Sequence, residues 1–81
     1  MRTLTSIDEF VRYLAVAIGK PDTEFDPQLA LAHQAISDSV TMVELAIVLE
    51  QELGVDLPDD IDLREASFAS LYARYERAPD A

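Results

Sequence analysis

Residues 38–54 read DSVTMVELAIVLEQELG, and this stretch decides the fold because it is the longest and most apolar helical pattern in the chain. Its start is marked by Asp38, whose carboxylate can accept hydrogen bonds from the free amides of a first helical turn. Its end is marked by Gly54, since glycine best adopts the left-handed conformation that follows a last turn. The stretch therefore predicts a helix over 39–53.

This predicted helix has two apolar faces. At about 100° per residue, one stripe suits the core of a domain. That stripe comprises Met42, Leu45, Ala46, Leu49 and Leu53. Roughly opposite lies a second patch, made of Val40, Val43 and Ile47 and flanked by Glu44, Glu50 and Gln51. Because a surface helix of a monomer needs only one apolar stripe, two interpretations are open: another helix covers the patch, or a partner protein docks there.

The rest of the chain predicts two more helices and some shorter helical turns. Apolar residues recur at helical intervals over 6–19 and again over 67–77, where Ser67 is a suitable cap. Shorter helical turns are expected near 27–34 and 59–64. We expect the connection before the central helix to anchor to the core through Phe25, Leu29 and Leu31. The predicted fold class is all-α, a small bundle of three to four helices with a long first loop, forming one domain over 1–81.

Composition limits the classes of partner. The chain has 81 residues, 49% of them apolar, and a formal net charge of −10 from 16 acidic against six basic residues. It has no basic stripe that could neutralise phosphates, so we expect no nucleic-acid partner. Proteins with basic patches suit this charge instead, because electrostatic attraction would steer them to the acidic surface.

The cysteine count and the hydropathy limit the classes of site and the cellular location that we expect. The chain contains no cysteine, so a disulfide framework and a thiolate metal site are excluded. No apolar run reaches the length of a membrane span, and the N-terminal residues lack the apolar core of a secretion signal. We expect a monomeric cytoplasmic protein.

Candidate catalytic and metal-binding residues are few. His33, Asp38 and Ser39 lie close in sequence, but the segment lacks the Gly-x-Ser-x-Gly context that a nucleophilic serine needs. The acids over 56–65 fail the calcium-loop pattern because Ile61 occupies the position that requires glycine. We therefore predict neither an enzyme nor a metal site.

Ser39 itself allows two interpretations from the residues alone. A serine at a helix start is most often part of the helix cap and has no further chemistry. Alternatively, an exposed hydroxyl at a helix N-terminus can carry a phosphate group, whose charge is favoured by free amides and the helix dipole.

The segment DSVTMVEL over 38–45, followed by ExELGVxLP over 50–58, resembles the signature of acyl carrier proteins and the related peptidyl carrier domains. In that family an Asp-Ser-Leu box opens the second helix and an acidic run leads to an Ile/Leu-Pro pair. The match has no gap from Asp38 to Pro58. A looser pattern, of an amphipathic first helix, a long loop and a short last helix, covers essentially the whole chain.

The resemblance implies a specific chemistry for Ser39. A phosphopantetheinyl transferase would move 4'-phosphopantetheine from coenzyme A onto its hydroxyl, and the terminal thiol would carry an acyl or aminoacyl group as a thioester. The implied partners also include acyl-loading, condensing and tailoring enzymes with basic docking patches. The residues carried over by position as partner-binding are Asp38, Val40, Val43, Glu44, Ile47, Glu50 and Glu52.

Three positions depart from the family pattern. Ile36 stands where the family usually has glycine, Val40 replaces the usual leucine, and Thr41 stands where many fatty-acid carriers have an acid. The pathway therefore stays open between fatty-acid, polyketide and related biosynthesis. The alternatives are a peptidyl or aminoacyl carrier of a nonribosomal peptide pathway, and an unmodified acidic helical interaction module.

Overall fold

A computed structural model describes residues 4–34, 38–58 and 60–77, which form a small helical bundle as predicted. The first helix, α1, spans Ile7–Ala17. The second, α2, spans Ser39–Ile47 and continues as a π turn over Val48–Glu52. The third, α3, spans Phe68–Arg77, and a short 3-10 turn covers Leu31–His33. These bounds fall within the ranges that the sequence periodicity predicts for the three helices.

Local sequence accounts for both ends of α1. The Ser6 hydroxyl accepts a hydrogen bond from the Glu9 amide at 3.2 Å, which caps the first turn. At the other end Gly19 has a positive φ of 78°. There the Lys20 amide donates to the Ala15 carbonyl at 2.8 Å, the pattern of a Schellman motif. A cap and a glycine therefore set the length of α1.

The end of α2 departs from a regular helix. In the π turn the Leu53 amide donates to the Val48 carbonyl, five residues back, at 3.1 Å. Gly54 then adopts a φ of 68°, and the Val55 amide donates to the Leu49 carbonyl at 2.8 Å. Gly54 therefore ends the helix in the left-handed conformation that its position predicts.

The core lies where α2 meets α1 and α3. Six large side chains are fully buried there. They are Phe10, Leu14, Leu45, Leu49, Phe68 and Leu71. The Phe10 ring of α1 contacts the rings of Tyr72 and Tyr75 of α3, with centroids 5.3 and 5.6 Å apart, so aromatic packing joins these two helices. Thr41 and Val48 are buried as well, although the predicted stripe omits them, because α2 is packed over a wider arc than one stripe.

The connection between α1 and α2 is held by contacts with the segment that precedes α3 and with the first turn of α3. The Leu31 amide donates to the Ala66 carbonyl at 2.8 Å, and the Ala69 amide donates to the Pro27 carbonyl at 2.8 Å. The rings of Phe25 and Phe68 are 5.3 Å apart. Backbone hydrogen bonds and one aromatic contact therefore hold the long loop against the bundle.

The loops differ from the expectations in three details: one predicted anchor is exposed, one helical turn is present but shorter, and the described residues of another form no helix. Leu29, predicted as a core anchor, is 39% exposed, and the helical turn expected over 27–34 narrows to the 3-10 turn Leu31–His33. The Gln34 side chain accepts a hydrogen bond from the Asp26 amide at 2.7 Å and donates to the Asp26 carbonyl at 2.9 Å, closing a loop in place of a helix. Over 60–64 the described residues form turns and no helix, while Asp59 lies outside the described residues.

Truncation of one buried side chain of α2 tests this packing. We expect Leu45→Ala to lower the free energy of unfolding by about 2–5 kcal/mol, because Leu45 is fully buried and the substitution leaves a cavity. Val43→Ala on the exposed side of the same helix is the control and should change it by less than about 0.5 kcal/mol. Urea unfolding measures both variants. Equal losses would contradict the assignment of the two faces.

Candidate functional site

Ser39 is the first residue of α2, and its side chain is exposed. The preceding residue, Asp38, is the N-cap of the helix. One oxygen of its carboxylate accepts two hydrogen bonds from Thr41, from the amide at 3.1 Å and from the hydroxyl at 2.8 Å. Among the residues that the structure describes, the Ser39 hydroxyl has no hydrogen-bond partner. The cap therefore fixes the start of the helix and leaves the serine accessible.

The same contacts favour the ionised form of the Asp38 carboxyl group. The Thr41 hydroxyl, then the Thr41 amide, lower the pKa of the Asp38 carboxyl below its usual value, and the positive charge of Lys20 adds a smaller effect. Asp38 is therefore ionised at neutral pH and engaged with Thr41. It stabilises a helix terminus, where a negative charge is favoured by the helix dipole.

The other two candidates for a hydrolytic triad are His33 and Asp38. His33 is exposed at the end of the 3-10 turn. The Asp38 carboxylate is hydrogen-bonded to Thr41 and so does not orient a histidine. Among the described residues, no base is therefore hydrogen-bonded to the Ser39 hydroxyl.

The second apolar patch of α2 is uncovered by the described part of the chain. Val40, Val43 and Ile47 are 69%, 58% and 48% exposed. Glu44 and Glu50, which flank them, are exposed as well. We call Val40, Val43 and Ile47 the docking patch. Of the two interpretations open from the sequence, the one in which another helix covers the patch does not hold for the described residues.

Glu52 is separated from the docking patch. The Tyr13 hydroxyl of α1 donates to the Glu52 carboxylate at 2.5 Å, which turns this side chain toward α1. The same hydrogen bond is the main cause that raises the pKa of Tyr13, because deprotonation would remove the proton that the phenol donates to Glu52, while partial burial and the negative charge of Glu52 add smaller effects. Sequence spacing groups Glu52 with the acids of α2, whereas its contact across 39 residues is visible only in three dimensions.

Within the described ranges 4–34, 38–58 and 60–77, no group of three or more His, Asp or Glu side chains is arranged to hold a metal ion. No helix of those residues is long and apolar enough to cross a membrane.

Comparisons of the chain with protein-family models, with curated proteins and with solved structures find no match.

The Asp38–Thr41 contact predicts a pH dependence. Because the folded-state pKa of Asp38 is lowered, the ionised carboxylate stabilises the fold above the unfolded-state pKa, and this contribution is lost as the pH falls below about 4. Thr41→Val removes the hydroxyl donor and should raise the Asp38 pKa toward its usual value. An NMR titration of the side-chain carboxyl carbon measures this shift.

The matched control for that titration is Thr23→Val, a threonine in the loop after α1. It should leave the Asp38 titration unchanged. If the Asp38 pKa were the same in wild type and Thr41→Val, the Thr41 hydroxyl would not be the main cause of the lowered value.

Proposed function

We propose that this chain is a carrier protein that bears 4'-phosphopantetheine on Ser39 and moves thioester-bound acyl intermediates between enzymes. The observation that carries the proposal is the placement of Ser39, exposed and free of hydrogen bonds to described residues, directly after an Asp38 cap at the start of a two-faced helix. The order of elements supports an acyl-carrier-like fold: a helix, a long fastened loop, a second helix, a segment of turns and a third helix.

The surroundings of Ser39 fit a covalently attached phosphate ester. Its oxygen is accessible to a large transferase, and the N-terminus of α2 favours negative charge. In the transfer, this oxygen forms a bond to a phosphorus of coenzyme A, the nucleotide part departs with the electrons of the broken P–O bond, and the serine proton passes to a base of the transferase. The chain itself needs no catalytic base in this step.

The absence of cysteine also supports the proposal. The chain contains no cysteine and cannot form a thioester with its own side chains. When bound, the prosthetic group would supply the thiol that holds the cargo. Ser39 then acts as an anchor, and the chain is a carrier and not an enzyme.

The docking patch suits the enzymes that such a carrier must visit. Apolar side chains at Val40, Val43 and Ile47 lie one to eight residues after Ser39 and are bordered by the exposed acids Glu44 and Glu50. A partner with an apolar centre and a basic rim would bury the patch while its charges meet the acids. Binding there brings a partner's active site close to the group on Ser39.

Mass spectrometry tests modification of Ser39. The purified chain, incubated with coenzyme A and a promiscuous phosphopantetheinyl transferase, should gain the mass of one phosphopantetheinyl group. Ser39→Ala should gain none, because it lacks the acceptor oxygen. Ser6→Ala, which removes the exposed cap serine of α1, should gain the group as the wild type does.

Two outcomes of this experiment would reject the proposal. One is no added mass on a folded wild-type chain. The other is the same addition on Ser39→Ala, which would place the modification elsewhere.

An unmodified interaction module is the second candidate function, favoured by the exposure of the docking patch. In that case Ser39→Ala would be harmless in the producing cell, whereas Ile47→Arg would not. For a carrier, Ile47→Arg should lower kcat/KM of the transferase at least about tenfold, equivalent to about 1.4 kcal/mol of binding to the transition state. Ala73→Arg adds the same charge to an exposed position of α3 and is the control. Equal effects of the two variants would show that charge alone, and not the patch, is responsible.

The identity of the bound group would distinguish an acyl carrier from a peptidyl carrier. The mass of the group bound to Ser39 in protein isolated from its native cells would identify an acyl chain, a polyketide or an amino acid.

A further inference from the structure

A groove of about 590 Å³ lies between α1 and the π turn of α2. We call it the α1 groove and define it by Tyr13, Val16 and Ala17 of α1 with Val48 and Glu52 of the π turn. These are not the residues of the docking patch. The α1 groove is therefore a second surface feature of α2, on the side that faces α1.

The α1 groove contains more apolar surface than the fold requires. Val16 is 60% exposed, although it lies on a helix whose buried residues Phe10, Leu14 and Ala15 already serve the core. Tyr13 is half-buried and Ala17 is exposed beside it. Exposed apolar side chains that line a groove are typical of a binding surface.

The π turn builds one wall of this groove. Val48 and Glu52 are its first and last residues, and both line the α1 groove. The Tyr13 hydroxyl bonds to Glu52 and ties this wall to α1. A π turn inside a helix is uncommon and often occurs at functional positions. Its position in the wall of the groove is therefore a second observation, independent of the exposed apolar residues, that points to a binding surface.

Charge indicates what the groove accepts. Two acids and one base line it, namely Glu9, Glu52 and Arg12. The positive charge of Arg12 acts on Glu9, which also accepts hydrogen bonds from the amide and hydroxyl of Thr5. Among the described residues, Glu52 accepts a hydrogen bond from the neutral Tyr13 hydroxyl on one oxygen, and its second oxygen has no described partner and can accept from a cation. The chain as a whole carries −10, so a basic partner is favoured at long range too.

We propose that the α1 groove binds an amphipathic helix of a partner protein, with apolar side chains seated on Tyr13, Val16 and Val48 and a lysine or arginine placed against Glu52. A groove open between two helical elements suits a helix laid along it, with anchors at three- and four-residue intervals. The site is independent of Ser39 and of the docking patch. A partner bound there leaves both free for an enzyme.

The test uses the full chain labelled with ¹⁵N and two synthetic helical peptides. One carries leucines at helical spacing with lysines on its polar face, and the other has glutamates in place of the lysines. The lysine peptide should shift amide signals over 13–17 and 48–52 in a saturable way, and its affinity should fall as salt is raised. The glutamate peptide should not bind.

Three variants separate a specific site from general attraction. Val16→Lys should lower the affinity for the lysine peptide at least about tenfold, since it adds a like charge to the apolar floor. Glu52→Gln should lower it and reduce its salt dependence, while the amide oxygen still accepts from Tyr13. Leu29→Lys, which also places a lysine at an exposed apolar residue but in the loop, should leave the affinity within about twofold. Thermal unfolding confirms that each variant is folded.

The proposal is overturned by any of the following results. The lysine peptide gives no saturable shifts, or its shifts centre on the docking patch. The glutamate peptide binds equally well, or Val16→Lys binds as the wild type does. Sedimentation that shows self-association lost in Val16→Lys would assign the groove to a second copy of this chain.

Discussion

Burial of one face of α2 is the constraint on which the rest of the structure depends. Leu45 and Leu49 are fully buried, and the helix cannot rotate about its axis without exposing them. This burial sets the direction of every other side chain on α2. The docking patch is held in solvent because it lies opposite those leucines, and the N-terminus with Ser39 is held at the surface. The exposure of the candidate site is thus a consequence of core packing.

The two ends of α2 are fixed in different ways. At the start, Asp38 accepts from both the amide and the hydroxyl of Thr41, so one carboxylate satisfies a free amide and a buried hydroxyl together. At the other end the helix widens into a π turn and stops at Gly54. The start presents a hydroxyl on a rigid element, which suits a site that must be recognised by a transferase. The end forms the wall of a groove, which suits a different partner.

Both the docking patch and the α1 groove have acidic residues beside them. The acids around the docking patch are exposed and free to meet a basic partner, whereas the Glu52 carboxylate is oriented by the Tyr13 hydroxyl. An acidic chain of this size gains no stability from its net charge, because like charges repel in the compact state. In the proposed functions, that charge would attract basic partners to both surfaces.

The sequence by itself determined the features that depend on neighbours along the chain. The periodicity of α1, α2 and α3, the caps at Ser6 and Asp38 and the left-handed glycines are local, and a helix forms its hydrogen bonds within a few residues. The sequence also identified the second apolar patch of α2, but it left open whether another helix covers that patch, and only the structure of the described residues decided this.

Only the tertiary structure decided the features that depend on residues far apart in the chain. The exposure of Leu29 follows from where the loop is fastened, through bonds such as that of Leu31 to Ala66. The burial of Val48 and the Tyr13–Glu52 contact follow from where α1 lies beside α2. The π turn is invisible in the periodicity because α and π turns use the same residues and differ only in which carbonyl each amide reaches. Packing in three dimensions makes that choice, and with it forms the α1 groove.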